Sequence, residues 1–167
     1  VLGLGAKNPG IILDDADMDK TVQESVAGAL SFNGQRCTAL KILFVPRSKA
    51  TVFAEKFAAA VNQLTIGLPW ETNIVSPHQT PLPETGKVQA MKVYVDDALA
   101  KGATIANGEP EYGDSLMKPV VLLGVTPDAL IYNEEQFGPV VPIVIYDDVQ
   151  EVIDYMKQSP YGQQVSI

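Results

Sequence analysis

The chain has 167 residues, of which 46% are hydrophobic, and a formal net charge of −8 at pH 7. This size suits one domain, no apolar run approaches the roughly 18 residues of a membrane span, and the acidic balance disfavours nucleic-acid binding. A single cysteine forms no internal disulfide and the start carries no signal pattern, so we expect a cytoplasmic protein with neither a membrane nor a nucleic acid as partner.

The first part of the chain predicts a strand, a helix and a second strand. Apolar residues 11–13, between Pro-Gly and a group of acids, indicate a buried strand. Asp17 predicts the start of a helix, because its side chain can accept from free N–H groups there, and Gly34 predicts the end of that helix. Residues 41–46 form an apolar run closed by a proline, which is typical of a buried strand.

Two more helices flank a proline-rich segment. Ser48 predicts the start of the second helix, which carries an apolar stripe. Four prolines within residues 66–83 predict a long loop. His78, the only histidine, lies in this loop, where we expect it to face solvent, and without a second ligand nearby it predicts no metal site. Residues 84–101 predict the third helix, ended by a glycine.

The last part of the chain predicts strands joined by turns and by one short helix. Strand candidates cover residues 103–106, 118–123 and 140–146, the helix covers 149–158, and a last strand covers 163–167. Strands separated by helices favour parallel crossover connections. We therefore predict a layered α/β domain.

The only cysteine, Cys37, is the strongest candidate for a catalytic group. It follows Arg36 in a polar segment, residues 31–39, and a fixed cation beside a thiol favours the nucleophilic thiolate. The alternative is a buried, inert thiol, since free cysteine is among the residues that are most often buried. From these residues alone, both interpretations stay open.

Motifs in three parts of the chain together resemble the aldehyde dehydrogenase superfamily. They occur in the order typical of that family and extend over essentially the whole chain. The motifs are L-G-L-G-A-K-N-P at residues 2–9 with D-D-A-D-M-D at 14–19, F-N-G-Q-R-C at 32–37, and E-E-Q-F-G-P-V at 134–140 with S-P-Y-G at 159–162. The G-Q-R-C-T-A and K-N-P sequences are most similar to the branch of non-phosphorylating, NADP-dependent glyceraldehyde-3-phosphate dehydrogenases. Semialdehyde dehydrogenases also place an arginine before the cysteine.

The resemblance implies a three-layer α/β fold with a mostly parallel, Rossmann-like sheet flanked by helices. It assigns residues 1–167 to the catalytic, thiol-bearing domain, without the cofactor-binding domain and the oligomerisation tail of the family. On that basis we expect this piece alone to be inactive. The resemblance also implies a small-molecule aldehyde as substrate, NADP or NAD as cofactor, and a homo-oligomeric parent, either a dimer or a tetramer.

The same resemblance implies roles for individual residues. Cys37 would be the nucleophile, Glu135 would bind the ribose hydroxyls beside the nicotinamide, and Phe137 would pack near the nicotinamide ring. Gly138 and the following proline would hold that loop. Arg36 would bind a substrate phosphate in the phosphate-substrate branch, or would only tune the thiolate or bind a neighbouring segment.

One position departs from the family pattern. The general-base glutamate of the family belongs at position 3, where this chain has Gly3, and a glycine cannot accept a proton from water. If Gly3 is native, deacylation uses another base or an acceptor such as coenzyme A, as in a CoA-acylating semialdehyde dehydrogenase, or the domain is non-catalytic and kept for packing. If Gly3 is a boundary or engineered change, the parent enzyme is ordinary.

Overall fold

The structure, a computed structural model, describes residues 4–68, 70–71 and 77–167. Its strands are β1 (Pro9–Ile11), β2 (Ile42–Pro46), β3 (Thr104–Ile105), β4 (Val120–Leu123) and β5 (Val140–Tyr146). Its helices are α1 (Met18–Leu30), α2 (Ala50–Asn62), α3 (Lys87–Ala100), α4 (Leu130–Asn133) and α5 (Val149–Gln158), and a 3-10 turn covers Ser31–Gly34.

The strands form one sheet in the order β1-β2-β5-β4-β3. Neighbouring strands are parallel except β3, which pairs antiparallel with β4. Parallel strands need a long crossover connection, and the connection from β2 to β5 contains helices and two other strands. This arrangement confirms the predicted α/β fold with a mostly parallel sheet.

Helices cover both faces of the sheet. Alternate residues of a strand point to opposite faces, and in β2 Ile42 and Phe44 pack in the core beneath α3 and α5, whereas Leu43 and Val45 pack beneath α1 and α2. All four side chains are buried. The continuous apolar sequence of this strand follows from this burial on both sides, and the molecule has the three layers that were expected.

The parallel strands bring three distant segments of the chain to one edge of the sheet. Residues 5–8 precede β1, residues 35–41 precede β2 and residues 134–139 precede β5. Because β1, β2 and β5 are adjacent and parallel, their amino ends lie side by side. The segments that contain Cys37, Glu135 and Phe137 therefore meet at this amino edge.

The predicted start of α1 is confirmed, and that of α2 is wrong. The Asp17 side chain accepts a hydrogen bond from the Lys20 N–H at 3.0 Å, which caps α1. Helix α2 begins two residues after Ser48, and the residue at its cap, Lys49, makes no side-chain capping bond. The Ser48 hydroxyl instead donates to the Asp14 carboxylate, so it is engaged by another segment.

Other predicted boundaries also shift. The strand predicted at 11–13 lies at Pro9–Ile11, and α1 ends at Leu30 rather than at Gly34, which ends the 3-10 turn that follows. The third helix begins at Lys87, three residues later than predicted. The short helix α4 was not predicted.

The predicted last strand at 163–167 is wrong. Only Ser166 forms a bridge there, with Gly10, through backbone hydrogen bonds of 2.8 Å to the Ile11 N–H and 3.1 Å to the Pro9 carbonyl. Residues 162–167 are exposed, so little apolar burial extends the pairing beyond this bridge.

His78 is exposed as predicted, and its ring Nδ1 accepts from the Thr65 N–H at 3.1 Å. Position 3, where the general base was expected, lies outside the described residues. No helix in the described ranges has the length and apolar character to cross a membrane. Those ranges also contain no group of three or more His, Cys, Asp or Glu side chains placed to bind a metal.

Candidate active site

The segment between α1 and β2 leaves the helix through two residues in left-handed backbone conformation. Phe32 has a φ of 54° and Asn33 a φ of 59°, a region that non-glycine residues seldom adopt. Asn33 compensates through its side chain, which accepts from the Thr80 N–H at 2.9 Å and donates to the Thr80 hydroxyl at 3.2 Å. The turn before Cys37 is therefore fixed by a residue of a distant loop.

Gly34 lets this turn approach the loop before β5. Its φ is 68°, and a Cβ placed there would lie 2.8 Å from the Gly138 carbonyl oxygen and 2.9 Å from the Ala29 carbonyl oxygen. Both distances are too short for any side chain, and both obstacles are backbone. Glycine at this position brings the cysteine segment into direct contact with the segment that contains Glu135 and Phe137.

Cys37 is exposed at the surface of this turn, so the expectation of a buried thiol is wrong. The amide of Asn8 donates to the carbonyls of Cys37, at 2.7 Å, and of Ala39, at 2.9 Å. These bonds fix the backbone on both sides of Thr38. Within the described residues no group accepts from the Cys37 N–H, so this donor is free to stabilise negative charge beside the sulfur.

Lys41 connects the cysteine segment to the loop before β5. Its Nζ lies 2.9 Å from the Gly34 carbonyl oxygen, to which it donates, and 3.6 Å from Glu135 Oε1. It also lies 4.4 Å from the ring centroid of Phe137, within the range of a cation–π interaction. The Lys41 side chain is only 1% exposed. One buried ammonium thus contacts both segments of the candidate site.

A second buried lysine lies behind Lys41. Lys7 donates to the Gln136 side-chain oxygen at 2.7 Å, and the Gln136 amide donates to the carbonyls of Lys41 and Val140 at 2.9 and 2.8 Å. Burial lowers the pKa of Lys7 well below its usual value, and the ammonium of Lys41 lowers it further. Burial also lowers the pKa of Lys41 to about 8, while the Glu135 carboxylate opposes part of this change.

In the loop before β5, the side chain of Glu135 is much less exposed than that of Glu134. Glu134 is exposed and accepts from the Tyr94 hydroxyl at 3.1 Å, whereas Glu135 is only 19% exposed. Phe137 has a φ of 33°, and a Cβ on the following Gly138 would lie 2.4 Å from the Met91 sulfur. Phe137 thus has a strained backbone conformation, and Gly138 packs too closely against Met91 to carry a side chain without a shift.

Arg36 points away from this network. Its guanidinium carbon lies 5.3 Å from the ring centroid of Phe32, and its Nε is buried with no hydrogen-bond partner among the described residues. With Thr38 it lines a cleft of about 950 Å³ beside α1. A buried guanidinium N–H without an acceptor is unusual.

The sequence-predicted residues Cys37, Glu135 and Phe137 therefore lie in two segments that touch. The buried residues that join these segments, Lys7, Asn8, Lys41 and Gln136, were not predicted. A weak signal was present in the sequence, because Lys41 stands directly before the apolar strand β2 and Lys7 two residues before β1, although lysine is rarely buried.

Comparisons with known proteins agree on one family. The profile of the aldehyde dehydrogenase family matches residues 1–167. A NADP-dependent glyceraldehyde-3-phosphate dehydrogenase of Streptococcus equinus is 39% identical over the whole of this chain and 34% of its own length. The chain thus spans about a third of the length of such relatives.

Solved structures of this family share the fold. A NADP-dependent glyceraldehyde-3-phosphate dehydrogenase from Bacillus halodurans, complexed with NADP, matches 97% of this chain and 33% of its own, with 40% identity and a TM-score of 0.89. A succinate-semialdehyde dehydrogenase from Burkholderia pseudomallei matches 98% of this chain and 38% of its own, with 30% identity and the same TM-score of 0.89.

Proposed function

Because the chain belongs to the aldehyde dehydrogenase family, we propose that it is the thiol-bearing domain of an oxidoreductase that converts an aldehyde to an acid with NADP or NAD. The observation that carries this proposal is the exposed Cys37, in a turn that lies against the loop of Glu135 and Phe137. An exposed thiol with a free N–H beside it and a half-buried carboxylate in the adjoining loop suits covalent catalysis on a carbonyl group.

The nucleophilic step uses Cys37 and its own backbone. The thiolate adds to the aldehyde carbon, a carbon–sulfur bond forms, and the carbonyl electrons move to the oxygen, which becomes negatively charged. The Cys37 N–H, which has no acceptor in the part of the chain that the structure describes, can donate to that oxygen. Asn8 contributes indirectly, because both of its N–H bonds hold the backbone carbonyls of the turn, so its amide has no donor left for the oxyanion.

The residues of the loop before β5 fit a nicotinamide nucleotide. Oε2 of Glu135 packs closely against Gly5, since a Cβ on that glycine would come within 3.2 Å of it. The Glu135 side chain is 19% exposed, and a carboxylate oxygen that solvent can reach can accept from a ribose hydroxyl. When bound, the nucleotide supplies the acceptor for the hydride that leaves the substrate carbon. Glu135 and Phe137 would orient it, in the roles that the family resemblance assigns to them.

Arg36 favours an aldehyde that carries a negative charge. It is the cation directly before Cys37 and lines a cleft with Thr38, where a guanidinium can pair with a phosphate or carboxylate group. The similarity to glyceraldehyde-3-phosphate dehydrogenases favours glyceraldehyde 3-phosphate, and the similarity to a succinate-semialdehyde dehydrogenase makes a semialdehyde the second candidate. Release of the acyl group requires an activated water or another acceptor, and Gly3 supplies no base for it.

Steady-state assays of the native polypeptide that contains this chain test the proposal. Glyceraldehyde 3-phosphate and succinic semialdehyde are each supplied with NADP or NAD, with and without coenzyme A. We expect reduced cofactor to form, C37S to abolish its formation, and R36Q to raise KM for the charged aldehyde more than for a neutral one. Free acid as product indicates hydrolysis, and an acyl-CoA indicates coenzyme A as acceptor. The proposal would be refuted if the wild type converted none of these aldehydes and Cys37 were alkylated no faster than free cysteine.

A further inference from the structure

We propose that Lys41 is a positioning residue, which fastens the Cys37 segment to the loop before β5 and orients the Glu135 carboxylate for the nicotinamide nucleotide. This inference rests on the proposed function, since it assumes that Glu135 contacts that nucleotide. Lys41 itself touches no reacting atom in this view, and it acts through the side chain of Glu135.

The contacts of Lys41 support this role. An ammonium has three N–H donors and no acceptor. Here it contacts the Gly34 carbonyl, three residues before Cys37, then the Glu135 carboxylate, and then the face of Phe137. Glu135 and Phe137 are the two residues that the resemblance assigns to the cofactor. In the part of the chain that the structure describes, no other cation forms an ion pair with Glu135.

Burial of this charge is difficult to explain by packing alone. Desolvation of an ammonium is costly, and an apolar side chain of similar length often stabilises a core position as well or better. Lys41 is nevertheless 1% exposed at the end of the sheet, next to apolar Ile42. A role in orienting the Glu135 carboxylate explains why a charged residue is found at this position.

The backbone of both segments has supports that do not involve the Lys41 side chain. Asn8 holds the carbonyls of Cys37 and Ala39. Gln136, held in turn by Lys7, donates to the main-chain carbonyls of Lys41 and Val140. Loss of the ammonium therefore removes the partner of the Glu135 carboxylate and leaves these backbone contacts in place. A variant at position 41 should report on Glu135 rather than on collapse of the loop.

The test is a double-mutant cycle on NADP affinity in the native polypeptide that contains this chain. The variants are K41M, E135Q and K41M/E135Q, and isothermal titration with NADP gives Kd for each. We expect K41M and E135Q each to weaken binding about tenfold, and the double variant to bind as weakly as E135Q alone, because interacting residues are not additive. K41R, which keeps a cation at this position, should recover most of the affinity.

Two further variants distinguish a loss of Glu135 orientation from a loss of protein stability and from a change in net charge. K41Q keeps a donor for the Gly34 carbonyl but has no charge, so it serves if K41M fails to fold and should weaken NADP binding to a similar extent. K87M is the matched control, because Lys87 lies 5.7 Å from the Phe137 centroid and its loss changes the net charge equally. We expect K87M to retain affinity within about twofold of the wild type.

The outcomes distinguish the two proposals. If E135Q weakens NADP binding but K41M leaves it unchanged, or if the two effects multiply in the double variant, Lys41 does not act through Glu135 and only this inference fails. If E135Q itself leaves NADP affinity unchanged, the cofactor role of Glu135 in the proposed function is wrong, and the inference fails with it.

Discussion

Replacement of Lys41 by methionine should change how the stability of the protein depends on pH above 8. Burial lowers the pKa of Lys41 from 10.5 to about 8, and the Glu135 carboxylate opposes part of that change. In the unfolded chain the amine stays protonated up to about pH 10.4. Between these two values the unfolded state binds more protons than the folded state, so the free energy of unfolding rises with pH.

The size of this effect follows from the two pKa values. A fall from 10.5 to about 8 corresponds to roughly 3 kcal/mol, since each pH unit is worth about 1.4 kcal/mol. The charged ammonium lowers the stability of the wild type by this amount below about pH 8, and the penalty disappears above about pH 10.5. K41M has no amine at this position. Lys7 is present in both proteins, but the Lys41 ammonium causes part of the lowering of its pKa, so the Lys7 contribution cancels only in part in their difference.

Urea unfolding followed by circular dichroism, at a series of pH values from 7 to 10.5, measures this difference. The free energy of unfolding of the wild type minus that of K41M should rise by about 2 to 3 kcal/mol across the series. A difference that stays constant within about 0.5 kcal/mol, or that falls as the pH rises, would refute the reasoning. Either result would mean that Lys41 is not held as a buried ammonium in the folded protein.

Two further predictions concern the close approach of the segments around Cys37. Gly34→Ala should lower the free energy of unfolding by about 3 kcal/mol in urea titrations, because a methyl group meets the Gly138 and Ala29 carbonyls in addition to the strain of a left-handed residue. Gly108→Ala, also left-handed but with nothing within 4 Å, should cost only about 1 kcal/mol, and equal losses would count against the steric argument. Asn8→Ala removes two hydrogen bonds to the cysteine turn, so it should lower the stability by about 2 kcal/mol and increase amide hydrogen exchange in residues 36–40. Unchanged exchange there would contradict the role given to Asn8.

The sequence singled out the candidate residues Cys37, Glu135 and Phe137, but not the residues that hold their segments together. Cys37, Glu135 and Phe137 belong to short motifs with turn residues and glycines, and these motifs are visible without a structure. Lys7 and Lys41 escaped notice because a lysine is normally a surface residue. Their burial depends on the loop before β5, which lies about 95 residues away along the chain from Lys41.

Local sequence also fixed much of the fold, but it failed where a distant segment intervened. Apolar runs predicted β2 and β5 because burial on both faces leaves no alternation, and Asp17 predicted the start of α1 because capping is a local bond. Ser48 was wrong as a helix cap since Asp14 takes its hydroxyl. The strand predicted at 163–167 was wrong since only one of its residues pairs with β1.

The meeting of Cys37 with the Glu135 loop was decided by the tertiary structure alone. Ligands of open α/β sheets usually bind beyond the carboxyl ends of the strands, whereas these segments meet at the amino edge, where β2 and β5 happen to be neighbours. No local pattern reports the order of strands in a sheet. The sequence by itself thus determined a single thiol in a polar segment and the family to which its motifs belong. The exposure of that thiol and the segments that lie against its turn depend on the tertiary structure, through the strand order, the missing side chain of Gly34 and the buried charge of Lys41.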